Sequence, residues 1–170
     1  RFEMFGLTQN VTELAQARDK ADLISGRLEL AMAAANAGVY EIDLKTGDRW
    51  SSEQFRMLAG PEAMARQAIN PFGVYVEEEV PAVRASWDRC LASNEVESMD
   101  TRIFTPDGKG RWVRLFTRVQ RNAAGENVRA VGLMLDIHEH KQQELALIQA
   151  KQQAEAATVA KSNFLASMSH

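Results

Sequence analysis

The stretch RWVRLFTRVQR, residues 111–121, leaves little choice of local structure. Val113, Leu115 and Val119 alternate with Trp112, Arg114, Phe116 and Arg118. Residues two apart share a face only in a strand, so this alternation predicts one with a buried and an exposed side. The segments on either side repeat the pattern. VESMDTRIFT precedes it across the turn PDGKG, and VRAVGLMLDI follows it across NAAGEN. Short glycine-bearing turns join antiparallel neighbours. Residues 96–137 are therefore expected to form a three-stranded meander, which needs a cover over its apolar face.

The cover is expected from upstream residues. In VYEIDLKTGDRW, Tyr40, Ile42 and Leu44 alternate with Val39, Glu41 and Asp43, which predicts a further strand. Thr46-Gly47-Asp48 turns it into a short second strand at RWSS. Ser52 can cap a short helix, EQFRMLAG, closed by Gly60. Residues 61–76 contain Pro61, Pro71 and Gly73 and read as loop with short helical pieces. Residues 77–93 read as an amphipathic helix with Val80, Val83, Trp87 and Leu91 on one side and three glutamates at its N-terminal end. The expected class is α+β: an antiparallel five-stranded sheet with helices on one face, enclosing a small apolar space.

Helix formers flank this core. In residues 14–37, Leu14, Ala17, Ala21, Ile24, Leu28, Ala31 and Ala35 recur at steps of three and four, with Gly26 weakening the middle and Gly38 at the end. From residue 139 onward Ala150, Ala154, Ala157, Lys161, Phe164 and Met168 keep the same rhythm. Both seams suit coiled coils, and the alanines make the second one weakly packed; a passive spacer is the alternative. FGLTQNVTELAQAR at Phe5 also resembles VGLMLDIHEHKQQE at Val131. Residues 1–13 are accordingly expected to be the tail strand of a preceding domain of the same kind, and the chain a piece of a longer protein.

Charge and cysteine usage exclude several classes. Twenty Lys and Arg against twenty-three Asp and Glu leave −3, with no basic stripe for nucleic acid. No apolar run reaches the roughly 20 residues of a membrane span, so no membrane contact is expected within the chain. Cys90 is the single cysteine, which rules out an internal disulfide and cysteine-pair metal knuckles. Its three-residue spacing from Trp87 suggests packing. His138 and His140, two apart, cannot share one helix face as a chelate, and no metal site is expected.

AANAGVYEIDLKTGDRWSSEQFRMLAG and RIFTPDGKGRWVRLFTRV, followed by NVRAVGLMLDI, together resemble a PAS domain, over about residues 30–138. That resemblance implies a PAS domain at 38–138, a linker helix at 14–37 and a signalling helix at 139–160. It also implies an interior pocket, for which Tyr40, Ile42, Trp50, Phe55, Phe104, Leu115 and Met134 are the candidates. These residues could equally be core filling. PAS flavin sensors use an Asn-Cys-Arg motif, which WDRCLAS around Cys90 lacks, and haem sensors an axial histidine, which residues 77–93 lack. No cofactor is evident, and the ligand is unknown. Asp136, Ile137 and Glu139 mark the expected signal exit.

AKSNFLASMSH resembles the start of the dimerisation and phosphotransfer helix of sensor histidine kinases, with Lys161, Ser162, Phe164, Leu165, Met168, Ser169 and His170 in place. The resemblance implies that residues 161–170 open that helix and that His170 accepts phosphate. At about 100° per residue, His170 falls roughly 150° from the centre of the Phe164–Met168 apolar arc, as an exposed acceptor must. The resemblance further implies ATP and Mg for a catalytic domain that these residues do not contain, a homodimer through the linker helices and PAS domain, a response regulator or receiver domain as partner, and a cytoplasmic location. Two other readings stay open: a PAS interaction module upstream of a non-kinase output, and a cofactor-based redox or light sensor.

Overall fold

The computed structural model describes residues 3–169, with side chains from residue 10. Helix α1 spans Glu3–Ala34, strand β1 Gly38–Asp43 and strand β2 Arg49–Ser51. Helix α2 covers Glu53–Ile69, and a short 3-10 turn at Glu77–Glu79 leads into α3, Val80–Ala92. Strands β3 (Glu97–Ile103), β4 (Arg111–Arg121) and β5 (Asn127–Asp136) follow, then α4, His138–Met168. His170, the expected phosphoacceptor, lies outside the described residues.

The five strands form one antiparallel sheet in the order β2-β1-β5-β4-β3. Its register puts the inward residues in rows. Tyr40 faces Gly132, Leu115 faces Met134, and Val119 faces Ala130. Ile103, Val113, Leu115 and Met134 bury against Phe55, Leu58, Ala63 and Val74, which forms the main core. Cys90, Val119 and Ala130 make a second cluster beside it. The α+β architecture expected from the alternation is present.

Local chemistry sets the joints. Ser52 Oγ accepts from Phe55 N–H at 3.2 Å, capping α2, and from Val39 N–H at 2.9 Å, which ties that cap to β1. Gly38 does not end α1. Asn36 takes the left-handed conformation (φ 48°), and Ala37 N–H reaches back to Met32 C=O at 2.9 Å. Gly38 instead opens β1, where a Cβ would sit 2.6 Å from Phe55 Cα.

Three expectations change. Of residues 1–13, expected as the tail strand of a preceding domain, those that are described, 3–13, lie inside α1. A strand needs a ladder partner, and the helix built by the formers after residue 13 extends back over this segment despite its Gly6, Thr8 and Val11. Residues 61–69, expected as loop, are helical. Gly60 does break the helix at φ 79°, but Pro61 then sits in the first turn of the next, where its fixed φ is tolerated. On α3 the expected face of Val80, Val83, Trp87 and Leu91 is only half-buried apart from Val83, and the fully buried stripe adds Ser86 and Cys90 to Val83.

From residue 10 onward α1 is exposed almost throughout, and so is α4 past its first turn. Leu14, Ile24 and Leu28 on α1 and Leu147, Phe164 and Met168 on α4 all face solvent. No helix among the described residues is long and apolar enough to cross a membrane.

Candidate functional site: an interior cavity and the sheet-to-helix exit

Between the sheet and helices α2 and α3 lies a cavity of about 250 Å³. That exceeds the roughly 150 Å³ in which a protein core can hold benzene. Tyr40, Ile42, Trp50, Phe55 and Leu115, all named from the sequence, line it. Trp50 is also 57% exposed, at the rim formed by edge strand β2. Phe104 and Met134 do not line the cavity. Met134, 1% exposed, is sealed within the main core, and Phe104 packs on that core's edge beneath the Arg66 guanidinium, 4.3 Å from the ring centroid. Alternation reports which face a residue occupies; it does not report how deep its neighbours bury it.

Other lining residues escaped the sequence reading. Thr117 is in phase with Leu115 on β4 and could have been found by extending that alternation. Met64, Gln67 and Tyr75 come from the stretch read as loop, and Ser86 and Cys90 from the unrecognised stripe of α3.

The cavity's polar groups are mostly engaged. Tyr40 Oη and Thr117 Oγ1 are 2.5 Å apart, and Tyr40 meets Phe55 edge-on with centroids 5.7 Å apart. Burial pushes the Tyr40 hydroxyl up to about 12, against the opposing effect of the Thr117 hydrogen bond. Burial also raises the Tyr75 hydroxyl, whose side chain has no hydrogen-bond partner among the described residues. Both phenols therefore stay protonated. At the wall, Glu97 accepts from Ser86 Oγ at 3.1 Å and from Arg89 Nε at 2.8 Å, and the Arg89 contacts hold its carboxyl below the usual range. Cys90 Sγ contacts the Thr117 carbonyl at 3.5 Å; burial, helped by the Glu97 charge, raises its thiol, so it is a poor nucleophile. No group of three or more ligating side chains that could hold a metal occurs among the described residues.

The residues named for signal exit sit at a second cleft, where β5 runs into α4. Asp136 Oδ1 accepts from His138 N–H at 2.9 Å, while Asp136 Oδ2 faces Arg111 Nη1 at 3.4 Å. Ile137 N–H donates to Trp112 C=O at 3.1 Å, extending the β4–β5 ladder up to the helix. Glu139 and His140 line the cleft with Asn36 and Gln143. One turn on, Lys141 Nζ lies 3.3 Å from Asp100, which Arg114 grips with two nitrogens, at 2.5 and 2.9 Å. The hydrogen bond from Arg114, then that from Lys141, keeps Asp100 well below the ordinary carboxylate range. The first turn of α4 is thus fastened to β3 and β4 through ion pairs and backbone.

Comparison with known proteins agrees with this geometry. The chain is similar to a sensory box histidine kinase/response regulator from Burkholderia thailandensis, at 26% identity and TM-score 0.63, covering 76% of this chain and 98% of that one. It also shares its fold with the N-terminal domain of a diguanylate cyclase with PAS/PAC sensor from Marinobacter aquaeolei, at 20% identity and TM-score 0.53, covering 62% and 98%. No curated protein matches it. The family profile described as PAS fold matches residues 50–134, half of the sequence. With the five-stranded sheet, the helical cover and the cavity between them in place, the chain belongs to the PAS fold family.

Proposed function

We propose that this PAS domain is the sensor segment of a two-component histidine kinase, relaying a signal through α4 to His170 as phosphoacceptor. The observation that carries the reading is the continuity from sheet to phosphotransfer motif. β5 ends at Asp136 and α4 begins at His138, so only Ile137 separates them, and α4 then runs unbroken to Met168. A shift in the sheet is passed to a rigid rod of that length, with no flexible loop to absorb it. The sequence likeness of KSNFLASMSH and the histidine-kinase neighbour support the kinase output.

In this reading the exposed seams of α1 and α4 pair across a parallel homodimer. A separate ATP-binding domain, with Mg, phosphorylates His170, and a response regulator or receiver domain takes the phosphate. Those reactions use cytoplasmic ATP, which sets the compartment. A neutral imidazole is nucleophilic, so His170 is the chain's own chemical contribution in this reading.

The test joins residues 1–170 in register to a kinase module lacking its own sensor. Phosphate on the chain that disappears in His170→Gln is the expected result. Insertions of one to seven residues in α4 should raise and lower that signal with helical period. Phosphorylation indifferent to inserted length would reject the relay and favour a PAS interaction module.

A further inference from the structure

In an antiparallel ladder, a hydrogen-bonded pair exchanges two N–H···O=C bonds. Trp112 and Ile137 follow Val113 and Asp136 in the β4–β5 register and make only half of that exchange. Ile137 N–H reaches Trp112 C=O at 3.1 Å. The Ile137 carbonyl is diverted: it accepts from Lys141 N–H at 2.9 Å, closing the first turn of α4. Trp112 N–H turns instead to His138 Nδ1, 3.3 Å away. The imidazole nitrogen stands where a strand carbonyl would be. Its ring proton then resides on Nε2, which lies 3.0 Å from Gln142 Nε2; turning that amide over puts its oxygen there as the acceptor.

We propose that protonation of His138 switches the sheet-to-helix junction between two hydrogen-bonding patterns. A charged imidazole carries N–H on both nitrogens and accepts nothing. Trp112 N–H then has one acceptor within the ladder's own geometry, the Ile137 carbonyl. Taking it completes the exchange, lengthens β5 by one residue and takes from Lys141 N–H its helical partner, so α4 starts later and turns relative to the sheet. The charged and titratable groups facing the ring are Asp136 on β5, Glu139 and His140 on α4, and Arg111 on β4, which pairs with Asp136. Lys141 is drawn away by Asp100 on β3 and by Glu144, and Arg102 on β3 lies over the Trp112 ring; Asn36, after α1, contributes no charge. Histidine is the side chain whose ordinary titration falls between pH 5 and 8. The signalling consequence rests on the relay reading above; the switch itself does not.

Amide hydrogen exchange, measured by NMR on the 170-residue chain at pH 7.5 and 5.0 and corrected for intrinsic rates, tests it, with His138 ring ¹⁵N shifts read alongside. Lys141 should lose at least tenfold in protection at the lower pH while the ring becomes charged. His138→Asn offers an acceptor of similar reach that cannot titrate, and should hold Lys141 protection within twofold at both pH values. Protection that does not change while the ring charges overturns the proposal, as does a ring that stays neutral at pH 5.0 or an equal loss in His138→Asn. Failure of the relay would appear as length-independent kinase output, leaving these exchange data unaffected.

Discussion

Tyr40 is the residue on which the cavity turns. Its hydroxyl bonds Thr117 across β5, and its ring lies over Gly132, where any Cβ would collide with the ring. Gly132→Ala should therefore destabilise the fold by about 1–3 kcal/mol, as overpacked cores do, and urea unfolding measures it. The raised Tyr40 hydroxyl makes a second prediction. The unfolded phenol releases its proton near pH 10 and the folded one near 12. The stabilisation is thus complete below pH 10 and is lost as pH rises towards 12, by about 2–3 kcal/mol over that interval. Tyr40→Phe should flatten this part of the urea-measured stability profile; an unchanged slope would contradict the assignment. Tyr40, Ile42 and Leu115 were legible because period-two alternation names the inward face. Tyr75 and Gln67 were not, since they reach the cavity from irregular and kinked segments that carry no period.

At the scale of elements, the docking of α4 onto β3 and β4 depends on Asp100, shared between Arg114 and Lys141. Its depressed carboxyl contributes stability that is present above the ordinary Asp value and lost as pH falls through the lower folded value. Asp100→Asn should be less stable than the parent at pH 7. The two should converge in acid below the ordinary carboxylate range, in thermal melts followed by circular dichroism. A constant difference across pH would place the effect in packing instead. Gly60 supplies the complementary case. With φ 79° and ψ 161°, a region essentially confined to glycine, Gly60→Ala should cost about 1–3 kcal/mol without touching the α4 dock. The strands of the meander were plain in the sequence because each carries its own alternation. Helix 61–69 was hidden because Pro61, Pro71 and Gly73 together read as loop, although a proline directly after a helix-closing glycine also suits the first turn of a new helix. Residues 5–9 resemble the β5 exit closely, yet only a neighbouring strand could have made them one.

The whole molecule is a compact sensor fold carrying two long helices whose apolar seams face solvent. Among the described residues neither seam is covered within one chain, and each repeats at steps of three and four. These features make sense together if two copies pair in parallel, so that movement at the Asp136–Ile137–His138 junction turns both α4 helices about their common seam. The role proposed for His170 rests on the ten residues before it, because a lone histidine on a helix says nothing of chemistry. The direct measurement is disulfide crosslinking of single cysteines placed along residues 145–165, with Cys90→Ala removing the buried native thiol. The account predicts chain-to-chain crosslinking that peaks at Ala150, Ala154, Ala157 and Lys161 and falls between them. Crosslinking that is uniform along α4, or absent at high concentration, would contradict it.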